Sequence, residues 1–442
     1  MTMKPRQILD MNAFDPKSGT VPEESLLARR QRNFGAASVL FYRRPLELCR
    51  GSGSWVEAAD GTRYLDFYNN VPSVGHGHPR VRAAVARQWE EININSRYLH
   101  PLTEQYLERL KETLPSEIDN VVMACSGSEA NDLALRVAQR VSGGTGFVVT
   151  ETAYHGNTAA ATAISPASFR QGNALPAHVQ AIPAPGSDTY GDDVAGGFAA
   201  AVDQAIERLR QAGHEPAALI CDSVFSSDGV FTDPAGFLAP AVRKMRAQGG
   251  LYIADEVQPG FARTGEAFWG FARHGVTPDI VTMGKPMGNG YPMAGMATRS
   301  LSLEALCEDV GYFNTFGGTP VAAAAGLAVL EVIEDEGLQS NALRVGNHLL
   351  QCLKALAEQD GRIAAPRGVG LFLGLDIRDP RDGSPAPERA ADLINALQAR
   401  GVLIGAAGPF GHTLKLRPPL CVTREEADLF VERLVQALST VQ

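Results

Sequence analysis

Short apolar runs that recur between helical patterns constrain this chain more than any other feature. From about residue 115, Val121 to Ala124, Phe147 to Thr150, Leu219 to Cys221, Leu251 to Ala254 and Ile280 to Met283 each read as a buried strand. Helical patterns lie between several of them: one running through Arg140 with Leu133 and Val137 on one face, then Ala199 to Ala212 and Pro240 to Ala247. This alternation predicts a mostly parallel sheet with helices on both faces. Such sheets bind ligands in the crevice beyond the carboxyl ends of their strands. Two runs deliver reactive side chains to that crevice. Leu251 to Ala254 continues directly into Asp255-Glu256. Ile280 to Met283 ends in Gly284-Lys285-Pro286-Met287-Gly288-Asn289-Gly290, a loop with three glycines and a proline.

A lysine just past a buried strand is held near a low-dielectric interior. Its charged form is disfavoured there, and its amine becomes a nucleophile. An isolated Lys-Pro reads as a surface loop; the strand-end carboxylate upstream changes that balance. Lysine and aspartate at neighbouring strand ends are the pair that pyridoxal phosphate requires: one for the Schiff base, one to keep the pyridine nitrogen protonated. Ser126-Gly127-Ser128, at a strand-to-helix junction, offers backbone N–H groups and a helix dipole to an anion. A plain helix cap by either serine is the competing reading. Tyr154-His155-Gly156 follows the Phe147 strand, and an aromatic ring there can stack on a pyridine or fill the core.

Composition sets the outer limits. With 442 residues, 45% hydrophobic and 20% charged, the chain suits a globular protein of two or three domains. A net charge of -9 argues against a nucleic-acid partner. The six cysteines are scattered without a Cys-x-x-Cys pair, which fits reduced thiols in the cytoplasm rather than a disulfide framework or zinc ribbon. Neither a signal peptide nor a membrane-crossing apolar run is expected.

Residues 1 to about 33 read as a polar arm, and the stretch to residue 65 as a segment of a small domain. Trp55 to Phe67 carries a hairpin signal at Asp60-Gly61. Gly51-Ser52-Gly53 is turn chemistry. His76-x-His78 has the look of a metal pair, but no third ligand stands at a useful spacing, so no metal is expected. Pro79 to Glu91 predicts a helix with Val81, Val85 and Trp89 on its apolar face. Pro166 to Gly197 has little periodicity and reads as a long surface excursion. A large domain over 66–320 is expected, then a smaller α+β domain over 321–442. The latter combines helices over Val321 to Glu334, Leu338 to Leu356, Glu388 to Arg400 and Glu425 to Leu438 with strands at Leu371 to Ile377 and Thr413 to Leu416.

Several dispersed motifs then fall in one order: Ser126-Gly-Ser-Glu-Ala-Asn131, Tyr154-His-Gly156, Asp255-Glu-Val-Gln258 with Gly260-Phe-Ala-Arg-Thr-Gly265, Thr282-Met-Gly-Lys285, and Thr315-Phe-Gly-Gly318. Together they resemble the class III, or ω-amino, aminotransferases of the fold-type I pyridoxal phosphate enzymes, from about residue 35 to the end. Asn69-Asn70-Val71, Val74-Gly-His76, Asn95-Ser-Arg97 and Met283-Gly-Lys-Pro-Met-Gly-Asn-Gly290 look most like the branch holding the ethanolamine-phosphate phospho-lyases. The resemblance implies Lys285 as the Schiff-base lysine and Asp255 as partner of the pyridine nitrogen. It implies Gln258 at the ring 3-oxygen, Tyr154 on the ring face, and Ser126, Gly127 and Ser128 around the phosphate. His155 and Asp222 join the cofactor set, although Asp222 stands where many members carry Glu. Thr319 departs too, from Asn. Thr315 resembles the threonine that reaches the neighbouring subunit's phosphate, which implies a homodimer with shared sites.

The resemblance leaves the reaction open between two outcomes. Transamination of a small primary or ω-amino compound, with an oxo-acid acceptor, is the commoner in the family. Elimination of phosphate or ammonia from a phosphorylated or phosphonate amine is the alternative. Family members that use glutamate carry an arginine where Lys415 stands, in Lys415-Leu-Arg-Pro-Pro-Leu420, and a glutamate where Ser227 stands. A lysine cannot clamp a carboxylate with two parallel bonds, but it suits phosphate. Lys415, Arg97 and Asn70 are therefore expected to face a small anionic amine, with Arg417 on the same side of the strand as Lys415.

Overall fold

The computed structural model describes residues 6–15, 21–169 and 174–441. Parts of the expected arm (1–5 and 16–20) and of the excursion (170–173) lie outside them. The large sheet has seven strands, in the order Asn120–Ala124, Ala294–Thr298, Ile280–Met283, Leu251–Asp255, Pro216–Asp222, Gly146–Thr150, Val179–Ile182. The last five run parallel. Ala294–Thr298 is antiparallel to both its neighbours. Its Ala-Gly-Met-Ala-Thr composition carries no β-branched run, so it gives little strand signal. Val179–Ile182 hides inside the presumed excursion, at the sheet edge.

Helices cover the sheet as expected. Gly127–Ser142 buries Ala130, Leu133, Ala134, Val137 and Ala138, the stripe that a 3.6-residue period produces. Val194–Gln211 buries Phe198, Val202, Ile206 and Leu209. The predicted helix Pro79–Glu91 forms with those bounds, and Val81 is buried on it. Trp89, however, is 57% exposed. Each four-residue step overshoots a helical turn by about 40°, so Trp89 stands about 80° away from Val81.

A second sheet, in the order Ile363–Val369, Phe372–Ile377, Thr413–Leu416, Gly405–Ala407, is antiparallel throughout. Helices Leu338–Gln359 and Pro387–Gln398 pack on it, and Arg424–Leu438 packs against both of those helices. The Asp60-Gly61 hairpin forms as expected, between Trp55–Ala58 and Arg63–Asp66. A late strand, Val402–Leu403, then adds to Arg63–Asp66 in parallel. This splice joins the chain's beginning to its end. The Arg417 N–H bonds Phe67 O at 3.0 Å and the Leu420 N–H bonds Ser73 O at 2.7 Å. The loop after Phe67 is thereby fixed against the strand that carries Lys415. The two loop histidines serve separate partners: His76 meets Asp66 at 2.7 Å, and His78 meets Glu336 at 3.0 Å.

Helix Leu338–Gln359 sits on the second sheet through one glycine. A Cβ at Gly346 would lie 2.0 Å from the Gly370 carbonyl oxygen, and backbone cannot yield as a side chain can. Gly346→Ala is expected to lower stability by about 2 kcal/mol, read as an earlier unfolding midpoint in denaturant. An unchanged midpoint would contradict this close approach.

Candidate active site

Asp255 ends its strand and is almost wholly buried. Its carboxylate accepts from Asn131 Nδ2 at 3.0 Å and the Val257 N–H at 3.1 Å, and meets His155 Nδ1 at 2.7 Å. Burial pushes the carboxyl pKa up. The His155 bond and its charge, with the Val257 and Asn131 bonds, outweigh that and hold it below the ordinary value. Asp255 is therefore an ionised carboxylate at the floor of the crevice. Its partners are themselves fixed. Asn131 Oδ1 accepts from Thr282 Oγ1 at 2.6 Å, and Asn131 Nδ2 also donates to His155 O at 2.7 Å. The His155 N–H donates to Ser165 Oγ at 2.8 Å.

Lys285 stands beyond the end of the adjacent strand, facing a cavity of about 130 Å³. Gly127, Ser128, Tyr154, His155, Asp222, Asp255 and Gln258 share that lining. Burial, then the Arg417 charge, brings the Lys285 pKa down to about 8, against the opposite pull of Asp255 and Asp222. A substantial fraction of its amine is neutral in mildly alkaline solution, where an ordinary lysine is almost fully charged. Asp222 ends the next strand. Burial raises its pKa, opposed by bonds from Ser226 Oγ and the Val224 N–H.

One wall of the cavity is the start of helix Gly127–Ser142. The first N–H groups of any helix have no partner within it. Two glycines keep this helix start open and tightly seated. A Cβ on Gly127 would come 2.7 Å from Val257 Cγ1, and one on Gly156, at φ +136°, would come 2.5 Å from Ser128 Oγ. The two serines divide the roles that the sequence left open. Ser126 is the N-cap, its Oγ accepting the Glu129 N–H at 3.3 Å, and it is not part of the cavity lining. Ser128 lines the cavity, and its Oγ accepts the Asn157 N–H at 3.1 Å.

Tyr154, Gln258 and Lys285 also line a second cavity of about 160 Å³, with Tyr68, Lys415 and Arg417 opposite. Ile8, Leu9 and Met11 of the N-terminal segment and Phe41 complete it. Its lining has three cations and no carboxylate. Lys415 Nζ donates only a long bond, 3.3 Å, to Ser226 O. Burial and then Arg417 press its pKa well below the ordinary lysine value. Arg417 donates to two neutral groups, Asn70 Oδ1 at 3.1 Å and Gln258 Oε1, and lies 4.6 Å over the Tyr68 ring.

The structure thus brings Gly127, Ser128, Tyr154, His155, Asp222, Asp255, Gln258, Lys285 and Lys415 to one cleft. Asn70 touches it through Arg417. Arg97 and Thr315 stand apart from it; both are exposed, and Arg97 lies 4.2 Å over the Phe313 ring. Ser227 is buried but lines neither cavity. Sequence reasoning gave no role to Asn131 and Thr282, although both sit inside quoted motifs. It also missed the N-terminal segment, whose apolar residues signalled nothing in isolation.

The class III aminotransferase family matches residues 42–438, and the chain belongs to it. It is 38% identical to an alanine–glyoxylate aminotransferase 2-like protein of Drosophila melanogaster, over 93% of this chain and 86% of that one. It is 35% identical to ethanolamine-phosphate phospho-lyase homolog 1 of Caenorhabditis elegans, over 94% of each. Among solved structures it resembles a phospholyase from Arthrobacter in complex with phosphoethanolamine, at 40% identity and a TM-score of 0.91, covering 95% of this chain and all of that one. The fold is that of the fold-type I enzymes, and the cofactor of the family is pyridoxal phosphate.

The cleft fits that cofactor. An ionised carboxylate stands ready for a protonated ring nitrogen, a helix start for a phosphate, and a lysine of lowered pKa for an aldehyde. Only the neutral amine attacks an aldehyde. The rate at which cofactor-free protein captures pyridoxal phosphate covalently should therefore rise with pH through about 8, followed by absorbance. Lys285→Ala should show no capture. A midpoint near that of an ordinary lysine would contradict the environment described for Lys285.

Proposed function

We propose that this protein is a lyase that releases phosphate from a small phosphorylated primary amine of the phosphoethanolamine class. The observation that carries this reading is the second cavity. Lys285, Lys415 and Arg417 converge there without a lining carboxylate. Burial and Arg417 disfavour charge on Lys415 more than the pull of Asp222 and Asp228 favours it, and a bound dianion would offset that cost and hold the lysine charged. Lys415 supplies a compact charge suited to phosphate, and Arg417 a planar fork. The likeness to the Arthrobacter phospholyase supports the same substrate class.

The residues divide the work. Asp255 would hold the ring nitrogen protonated, and Tyr154 and Val257, which line the same cavity, would hold the ring. When bound, the cofactor supplies an electron sink next to the substrate nitrogen. Neutral Lys285 takes the proton from the carbon bearing that nitrogen. The phosphate leaves from the neighbouring carbon with the electron pair of its C–O bond, into the field of Lys415 and Arg417. Water then completes release of ammonia and an aldehyde. Ile8, Leu9 and Met11 line the same small cavity as Lys415 and Arg417, which favours a short substrate.

Transamination is the second reading, favoured by the Drosophila relative. It would use Lys285 for the same proton removal and would need an oxo-acid acceptor. The absence of an arginine at Lys415 weighs against a dicarboxylic acceptor such as 2-oxoglutarate.

A homodimer belongs to this reading. Tyr98, Leu99, Phe313 and Phe316 are exposed beside Thr315, more apolar surface than one loop cluster leaves to water without a partner. A second copy of the chain would cover it, with Thr315 and Arg97 serving the partner's site. No helix of the described residues is long and apolar enough to cross a membrane, and the six cysteines are free, which suits the cytoplasm.

Phosphoethanolamine should yield phosphate and ammonia with no amino acceptor added. Lys415→Met should lower kcat/KM by roughly 10- to 100-fold, the loss of one charge-assisted contact. Amine transfer to pyruvate without acceptor-free phosphate release would instead establish the transaminase.

A further inference from the structure

A group outside the cleft has the composition of a metal site. Among the described residues, His348, Cys352 and Asp428 form the one set of three potential ligands whose donor atoms all lie within 4.8 Å of one another. His348 and Cys352 are four residues apart on helix Leu338–Gln359, so one turn places them side by side. Asp428 comes from the closing helix Arg424–Leu438, which packs against it. His348 Nε2 lies 2.5 Å from Asp428 Oδ1 and 3.7 Å from Cys352 Sγ.

We infer that these three side chains bind a divalent transition metal, with zinc the best match. One nitrogen, one thiolate and one carboxylate oxygen are zinc's usual ligand types. Tetrahedral zinc bonds of about 2.0–2.3 Å set such donors about 3.3–3.6 Å apart. The Cys352–His348 spacing, 3.7 Å, lies just above that range. The His348–Asp428 contact has to open by roughly 0.8 Å, within reach of an exposed aspartate rotamer. His348 also borders a surface hollow of about 400 Å³ with Arg344 and Arg424, which leaves the fourth position open to water. Those arginines do not oppose the ion. Binding releases the Cys352 proton to solvent, and thiolate plus carboxylate then cancel the metal's two charges. The ion joins two helices of the C-terminal domain and shares no residue with the cleft.

The test uses chelator-washed holoenzyme titrated with Zn²⁺ against a chromophoric zinc indicator, alongside His348→Ala, Cys352→Ser and Asp428→Asn. One zinc per chain should bind to the wild type, weaker by roughly tenfold or more in each variant. Co²⁺ in place of zinc should give a thiolate charge-transfer band, read as a difference spectrum over the cofactor and missing in Cys352→Ser. Metal-free turnover should be the same in all four proteins, which also reports that the variants fold. Equal zinc affinity across the four, or cobalt binding without the thiolate band, would overturn the inference and leave His348–Asp428 a plain ion pair.

Discussion

The site depends on one buried charge, the Asp255 carboxylate. A carboxylate so enclosed is normally driven towards its neutral form. Here three donors from three places hold it ionised: Asn131 on the helix after the first sheet strand, His155 in the loop after Gly146–Thr150, and the backbone at Val257. Thr282, on the neighbouring strand, fixes Asn131 in turn. The sheet order explains the convergence. Ile280–Met283, Leu251–Asp255 and Pro216–Asp222 are adjacent and parallel, so their ends open on the same crevice.

Charge is graded along that crevice. Asp255 and Asp222 stand at one end, Arg417 and Lys415 at the other, and Lys285 lies between them. Its lowered pKa reflects burial plus the repulsion of Arg417, with the two carboxylates pulling the other way. Burial and the neighbouring Arg417 lower the Lys415 pKa as well. That setting suits Lys285 to act as a nucleophile and base, and under the proposed function Lys415 would receive the substrate's anion. Arg417 and Asp222 act on both lysines, which couples the two ends of the crevice electrostatically.

Much of this was legible in the chain. Strand ends carrying Asp255 and Lys285 are local features, because an apolar run and the polar residue after it are contiguous. The helix start at Gly127 is equally local. What escaped was non-local or weakly patterned. Ala294–Thr298 lacks strand-forming residues and is a strand only because Asn120–Ala124 and Ile280–Met283 flank it. Asn131 looked like one more polar helix residue until the sheet placed Asp255 beside it. Arg417 was visible as a strand neighbour of Lys415, but its bonds to Asn70 and Gln258 join residues far apart in the chain. Arg97 and Thr315 carry motif signals, yet in this chain they lie away from the cleft.

The most direct test of the account is Asp255→Asn, measured for cofactor content and turnover together. The amide keeps the size of the side chain but cannot hold a positive ring nitrogen. Cofactor absorbance should persist while turnover falls by roughly 10- to 100-fold, the worth of a hydrogen bond to a charged group. Turnover within a few-fold of wild type, with cofactor bound, would contradict the role given to the buried carboxylate.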